Sequence, residues 1–153
     1  MERAEYRDFR GEFMDQVLEI YSENGWTEYL RDRDRVLRAF RNSLLILGAF
    51  REGKLIGFVR CVGDGETVVY VQDLIVRPAF RRQGIGSELM RRVSDRYPDV
   101  RQFLLITDEN DAVSNAFYRA IGMTGDCHGF PVTVYFRKNG RDCPQSANDG
   151  SEI

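Results

Sequence analysis

The chain has 153 residues, of which 42% are hydrophobic and 30% charged, with a formal net charge of −2. That length suits one domain with a real core, and the proportions are ordinary for a soluble globular protein. The slightly acidic balance argues against general nucleic-acid binding, and no apolar run reaches the ~18 residues that a membrane-spanning helix needs.

Residues 1–10 are charged, with Tyr6 and Phe9 as their large apolar groups, and a short edge strand is expected there. Met1 leads straight into charged residues, so no signal peptide is expected. Residues 12–23 carry Phe13, Val17, Leu18, Ile20 and Tyr21 at helical spacing, and Asn24-Gly25 should end that helix. Thr27 is the expected cap of a second helix reaching about Phe40, with Leu30, Val36, Leu37 and Phe40 inward. Its arginines and aspartates read as a solvated face.

Residues 43–51 and 54–62 read as strands joined by a turn at Glu52-Gly53. Gly63-Asp64-Gly65-Glu66 turns the chain into a third strand over 67–76, and three strands with short turns imply an antiparallel meander. Pro78 closes the third strand. Ile85, Leu89, Val93 and Tyr97, with Met90 beside them, then form the apolar face of a helix. Ser87, Glu88, Arg91, Arg92 and Asp95 form its polar face.

Pro98-Asp99 breaks the chain, and residues 102–107 are a short apolar run expected to be a buried strand. Residues 111–121 make a helix with Val113, Ala116, Phe117, Ala120 and Ile121 as its stripe, stopped by Gly122. A last strand is expected over 133–137. Residues 138–153 have almost no large apolar side chain before Ile153 and are expected to form a flexible tail. The division is therefore one domain over 1–137 and a tail over 138–153. The order of elements fits an α/β (α+β) fold, a mixed central sheet with helices on both faces.

The centre of the chain is a strand, a glycine-containing loop and a helix start, which together make an anion site. The first N–H groups of a helix have no partner within it and carry a partial positive charge. Gly84 and Gly86 allow close approach to the backbone. Arg81 and Arg82 add charge and planar donors. Around them Arg77, Arg91, Arg92, Arg96 and Arg101 outnumber Glu88, Asp95 and Asp99, so a basic surround is expected. The spacing is neither a Walker loop nor a full GxGxxG.

Arg81-x-x-Gly84-x-Gly86, preceded by Leu74-Ile75-Val76-x-Pro78, resembles the acyl-CoA pyrophosphate loop of the GNAT superfamily of N-acetyltransferases. Asn115-Ala116-Phe117-Tyr118-x-x-x-Gly122-Met123 resembles that family's second signature, with Met123 in place of the usual Phe. The resemblance spans about residues 44–136. It implies the GNAT fold, with its antiparallel N-terminal meander, acetyl-CoA as cosubstrate, and transfer to a primary amine of a small molecule or protein by direct attack in a ternary complex. No metal is implied. A non-catalytic acyl-CoA sensor and a longer acyl donor are the alternatives.

By that resemblance the backbone of Leu74, Ile75 and Val76 holds the pantetheine arm. Arg81, Arg82, Gln83, Gly84, Ile85, Gly86 and Ser87 hold the pyrophosphate. Tyr118 matches a tyrosine that protonates the leaving thiolate in many members, against the alternative of a packing tyrosine. Asp111 stands where many relatives carry an Asn that contacts coenzyme A, and Asn110 and Asn115 are near enough to substitute. Trp26 and Tyr29 are acceptor-side or core residues, and Tyr70 is placed toward the site.

Strict alternation puts Val71, Asp73 and Ile75 on one face and Tyr70, Gln72 and Leu74 on the other. Polyamine-acetylating members carry Glu-Asp where this chain has Gln72-Asp73. Gln72 cannot take a proton. Asp73 is then either a base acting through water or a structural residue, with the structural role favoured. Three cysteines, Cys61, Cys127 and Cys143, suggest a reducing compartment, hence a cytoplasmic protein. Cys61 reads as core, Cys127 next to His128 does not make a nucleophile–base pair, and His128 reads as a surface residue. The expected partners are acetyl-CoA and an amine, with no nucleic acid and no membrane, since the arginines lack interleaved aromatics. Homodimerisation stays open.

Overall fold

Five strands form one sheet in the computed structural model, which describes residues 3–125 and 131–137. The strands are β1 (Glu5–Asp8), β2 (Leu45–Arg51), β3 (Lys54–Gly63), β4 (Val68–Val76) and β5 (Gln102–Leu105), and they lie side by side in chain order. Pairing is antiparallel from β1 to β4 and parallel between β4 and β5. The helices are α1 (Met14–Glu23), α2 (Arg33–Arg41), α3 (Ile85–Arg96) and α4 (Ala112–Ala120). This is the mixed α/β sheet expected from the order of apolar runs, and β1 is the expected edge strand.

Two cores flank the sheet. Ile85, Leu89, Met90 and Val93 of α3 pack on Leu47, Val59, Val71 and Leu74. On the opposite face, Val17, Ile20 and Tyr21 of α1 and Phe40 of α2 meet Phe9, Phe50, Phe58 and Ile75. Phe9, Phe50 and Phe58 contact edge to face, the arrangement the ring quadrupole favours. No helix among the described residues is long and apolar enough to cross a membrane.

The second helix starts later than its residues suggested. Thr27 opens a 3₁₀ segment, Thr27–Arg31, and Asp32 caps α2 by accepting the Arg35 N–H at 2.9 Å. An aspartate at the cap reaches the N–H three residues on. Leu30, placed inward by a single long helix, is exposed because the 3₁₀ turn rotates it outward. Replacing Asp32 with alanine should destabilise the protein by about 0.5–2 kcal/mol, read as a lower urea midpoint. An unchanged midpoint would show that the cap contributes nothing.

Three expectations near the C-terminal side are corrected. β5 is not buried: Leu104 and Ile106 are exposed, because β5 has β4 as its one neighbour among the described residues. Only Phe103 and Leu105 reach the core on the α3 side. In α4 the packed face is Ser114, Phe117, Tyr118 and Ile121, while Val113, Ala116 and Ala120 are exposed. The spacing i, i+3, i+4, i+7 selects that face. Residues 131–137 are not a strand, and Val132, Val134, Tyr135 and Phe136 are exposed. β propensity makes no strand without a ladder to join. Cys127, His128, Cys143 and the tail over 138–153 lie outside the described residues.

Candidate active site

The sheet forks between β4 and β5. Parallel pairing runs from Val68 opposite Gln102 to Val71 opposite Leu105, and then stops. β4 continues to Val76, and there, among the described residues, Leu74, Ile75 and Val76 pair with β3 alone. The cause is a bulge. Arg60 faces Asp73 and Cys61 faces Val71, so Gln72 is an extra residue with no opposite number. The extra residue also shifts the alternation. Val69, Val71, Leu74 and Val76 all face the α3 side, while Asp73 and Ile75 face the α1 side. The strict alternation that grouped Val71 with Asp73 is thereby corrected.

The open edge of β4 runs toward the start of α3. A 3₁₀ turn, Pro78–Phe80, leads into a loop where Arg82 and Gly84 both take left-handed backbone, with φ of 60° and 79°. Gly84 is the N-cap of α3 and brings no side chain to cap it. The first-turn N–H groups of Ile85, Gly86 and Ser87 therefore stay available to an anion. A Cβ on Gly84 would meet nothing within 4 Å. Glycine here serves the backbone conformation, and the space above it is open. A non-glycine residue such as Arg82 held at positive φ is the kind of local strain that clusters at ligand sites.

The basic surround is smaller than the arginine count implied. Arg77 is buried, ion-paired with Glu19 at 2.9 Å and with Glu23, and donates to the Leu55 carbonyl at 2.7 Å. Arg91 and Arg92 bind Glu88, and Arg96 binds Asp8. Hydrogen bonds from Arg91 and Arg92 hold the Glu88 carboxyl at about 2. Arg81 and Arg82 remain at the loop. Arg81 donates to the Asn24 side chain, whose amide in turn donates to the Val76 carbonyl at 3.3 Å. Gln83 accepts from Arg51 at 3.2 Å.

On the other side of the fork, Asp111 caps α4 by accepting the Ser114 N–H at 3.0 Å and its hydroxyl at 2.6 Å. Asn115 donates to the carbonyls of Asp108 and Asp111 at 2.8 and 2.7 Å. Both side chains thus shape the loop between β5 and α4. Tyr118, one turn on, packs edge-on against Phe117, with ring centroids 5.2 Å apart. Burial pushes its phenol well above the ordinary value, and Asp111 and the nearby Tyr70 add to the rise. Tyr70, on the stretch of β4 that still pairs with β5, has its phenol raised mainly by burial.

A buried polar cluster sits at the bulge on the α1 side. Asp73 is 1% exposed. Its Oδ2 accepts from Arg60 Nε at 2.6 Å and from the Tyr21 hydroxyl at 2.8 Å. Its Oδ1 accepts from the Tyr29 hydroxyl at 2.8 Å. Burial works against the Arg60 charge, yet Asp73 holds the guanidinium above its ordinary range. Burial first, and Asp73 second, raise the phenols of Tyr21 and Tyr29. The rings of Tyr21 and Tyr29 stack at 4.3 Å, and Trp26 stacks on Tyr21 at 5.8 Å. Trp26 and Tyr29 therefore both pack on the α1-side core, and Tyr29 alone of the two reaches the bulge through its hydroxyl.

Sequence reasoning missed Arg60 and Tyr21. The available signal was a lone arginine in an apolar strand, Leu55 to Val62, answered by a lone aspartate in the next. Asp73→Ala should cost about 3–5 kcal/mol, because it leaves a buried guanidinium uncompensated. The double variant Arg60→Met/Asp73→Leu should recover most of that loss. Urea unfolding of the three proteins checks this, and a double variant as unstable as the single one would refute it.

Comparison with known proteins agrees with this geometry. Residues 7–123 match the model of the acetyltransferase (GNAT) family. The chain is 32% identical over 115 residues to an uncharacterised ycf52-like N-acetyltransferase of Prochlorococcus marinus, covering 71% of this chain and 61% of that one. It spans 58% to 66% of the length of the curated relatives it matches. Among solved structures, a GNAT family acetyltransferase from Streptococcus pneumoniae superposes with a TM-score of 0.72 at 29% identity, covering 90% of this chain and 100% of that one. The PaiA N-acetyltransferase of Thermoplasma acidophilum, solved in complex with coenzyme A, superposes with a TM-score of 0.63 at 19% identity, covering 78% and 88%. With a family match across residues 7–123 and a sheet that forks into the bare start of a helix, the chain belongs to the GNAT family of acetyltransferases.

Proposed function

We propose that this chain transfers an acetyl group from acetyl-CoA to a primary amine of a small molecule or protein, by direct attack in a ternary complex. The observation that carries this reading is the edge of β4 beyond Val71, which has no partner strand among the described residues and runs into the uncapped start of α3. An extended chain of amides ending in a pyrophosphate fits an edge strand that ends in free N–H groups. The complex of the Thermoplasma neighbour with coenzyme A supports the same fit. Bound there, acetyl-CoA supplies an activated thioester.

Leu74, Ile75 and Val76 then offer the pantetheine arm what β3 leaves free. Arg82, Gln83, Gly84, Ile85, Gly86 and Ser87 surround the pyrophosphate, with Arg81 adding charge from its place on Asn24. Asp111 and Asn115 act by shaping the flanking loop. A donor laid along β4 from the α3 end points its reactive end at the crotch of the fork. There the raised phenol of Tyr118 keeps its proton at neutral pH, as an acid for the leaving thiolate must. Tyr70, Gln72 and Tyr29 border the crotch on the α1 side. With Asp73 committed to Arg60 and two tyrosines, the amine gives its proton to water.

The test is a panel of amines offered with acetyl-CoA, with release of free thiol as the readout. Turnover of an amine supports the reading. Tight acetyl-CoA binding with no turnover on any amine would make the chain a sensor, and faster turnover with a longer acyl-CoA would change the donor.

A further inference from the structure

Asp73 joins four elements through one carboxylate: its own strand β4, β3 through Arg60, α1 through Tyr21, and the 3₁₀ segment through Tyr29. The 3₁₀ segment has no buried residue. Its attachment to the sheet runs through Tyr29, whose ring stacks on Tyr21 and whose hydroxyl donates to Asp73. The same hydroxyl lies 3.4 Å from the Gln72 amide nitrogen, as its acceptor. Gln72 is the bulged residue itself, exposed at the point where β5 leaves β4. One hydroxyl therefore connects a surface segment, the bulge and a buried charge.

We propose that Asp73 is a positioning residue: through Tyr29 and Gln72 it latches the 3₁₀ segment against the crotch of the fork, and so sets the affinity for the acceptor without taking its proton. A base role conflicts with the geometry. Both oxygens already accept, three donors converge on them, and one of those donors carries a formal charge. Protonating Asp73 would strand the buried Arg60 guanidinium. A role in fold stability alone leaves unexplained why the exposed segment and the exposed bulge residue share its one outward hydrogen bond.

The kinetic part of the proposal rests on the acetyltransferase reading, and the structural part does not, so the experiment has two arms. Tyr29→Phe keeps the stacked ring and removes the hydroxyl. Amide hydrogen exchange over residues 27–31 should quicken by about ten- to a hundredfold, the worth of one hydrogen bond to a charged group, with α1 and β4 unchanged. The acceptor KM should rise by a similar factor, with kcat and the acetyl-CoA Kd within about twofold. The folded double variant Arg60→Met/Asp73→Leu should show the same rise in KM and the wild-type pH dependence of kcat. Wild-type exchange in Tyr29→Phe overturns the latch, whether or not any amine is turned over. Wild-type KM in that variant overturns its role in acceptor affinity. Collapse of kcat at neutral pH in the double variant, with recovery at high pH, makes Asp73 the base. Absence of turnover in the wild type would defeat the acetyltransferase reading, while the exchange arm still decides the latch.

Discussion

Gly84→Asp is expected to abolish the rise in melting temperature that acetyl-CoA gives the wild-type protein. At a ligand concentration of a hundred times Kd, binding to the native state alone contributes about 2.7 kcal/mol. For a domain of this size that is about 5–10 °C in Tm. The substitution separates charge from strain. Aspartate tolerates left-handed backbone better than most residues, and a Cβ at Gly84 meets no neighbour. The apo variant should therefore fold with a Tm near that of the wild type. What changes is a carboxylate placed over the free N–H groups, where the pyrophosphate charge would sit. Gly84→Asn carries the same bulk without the charge and should keep part of the shift. A full shift in both variants would defeat the assignment of this loop to the pyrophosphate.

Gly86 supports the same assignment by a different route. It lies on the buried side of the first turn of α3, so Gly86→Asp combines charge with packing loss. Its apo protein should be less stable than the wild type, and Gly84→Asp is the cleaner of the two.

The parts of this fold that repeat could be read from the chain. Apolar residues at helical spacing located α1 and α3, and short β-branched runs divided by Gly-containing turns located β2, β3 and β4. The loop from Arg81 to Gly86 was legible through its two glycines and its likeness to the family's loop, although the structure shows Gly84 serving a positive φ that few other residues accept. The bulge that opens the fork was not legible. Gln72 and Asp73 are adjacent polar residues in the otherwise apolar run Val68–Val76, and the register that makes Gln72 the extra residue appears only once β3 is beside it. The Asp73 cluster was half legible. A buried aspartate in such a strand demanded partners, but Arg60 stands on another strand and Tyr21 on a helix, and no local rule joins them. Thr27 and Asp32 are both good caps, and the choice between them depended on where Tyr29 had to stack. In α4 the expected stripe holds at Phe117 and Ile121 and fails at Val113, Ala116 and Ala120, because the core met the face that also carries Ser114 and Tyr118.

Tyr118→Phe is expected to lower kcat by about ten- to a thousand-fold, at or somewhat below the range of a lost general acid, with the acetyl-CoA Kd nearly unchanged. The ring stays in its contact with Phe117 and the core on the α3 side, so the loss is that of one hydroxyl. The pH dependence carries the sign of the argument. Burial, then Asp111 and Tyr70, raise the Tyr118 phenol above its ordinary value. A raised phenol stays protonated through neutral and mildly basic pH, so activity that needs its proton persists there and falls only above the raised pKa. The wild type should therefore show no loss of kcat from this group between about pH 7 and 10, the ordinary value for a free tyrosine. The variant should lie below it by a constant factor over that range. A thiol leaving group is itself a modest base, so a larger deficit at low pH than at high pH would mean that solvent replaces the phenol when thiolate can depart unprotonated. Wild-type kcat in Tyr118→Phe at every pH would leave the hydroxyl a packing group, and the proton for the thiolate would then come from water at the crotch of the fork.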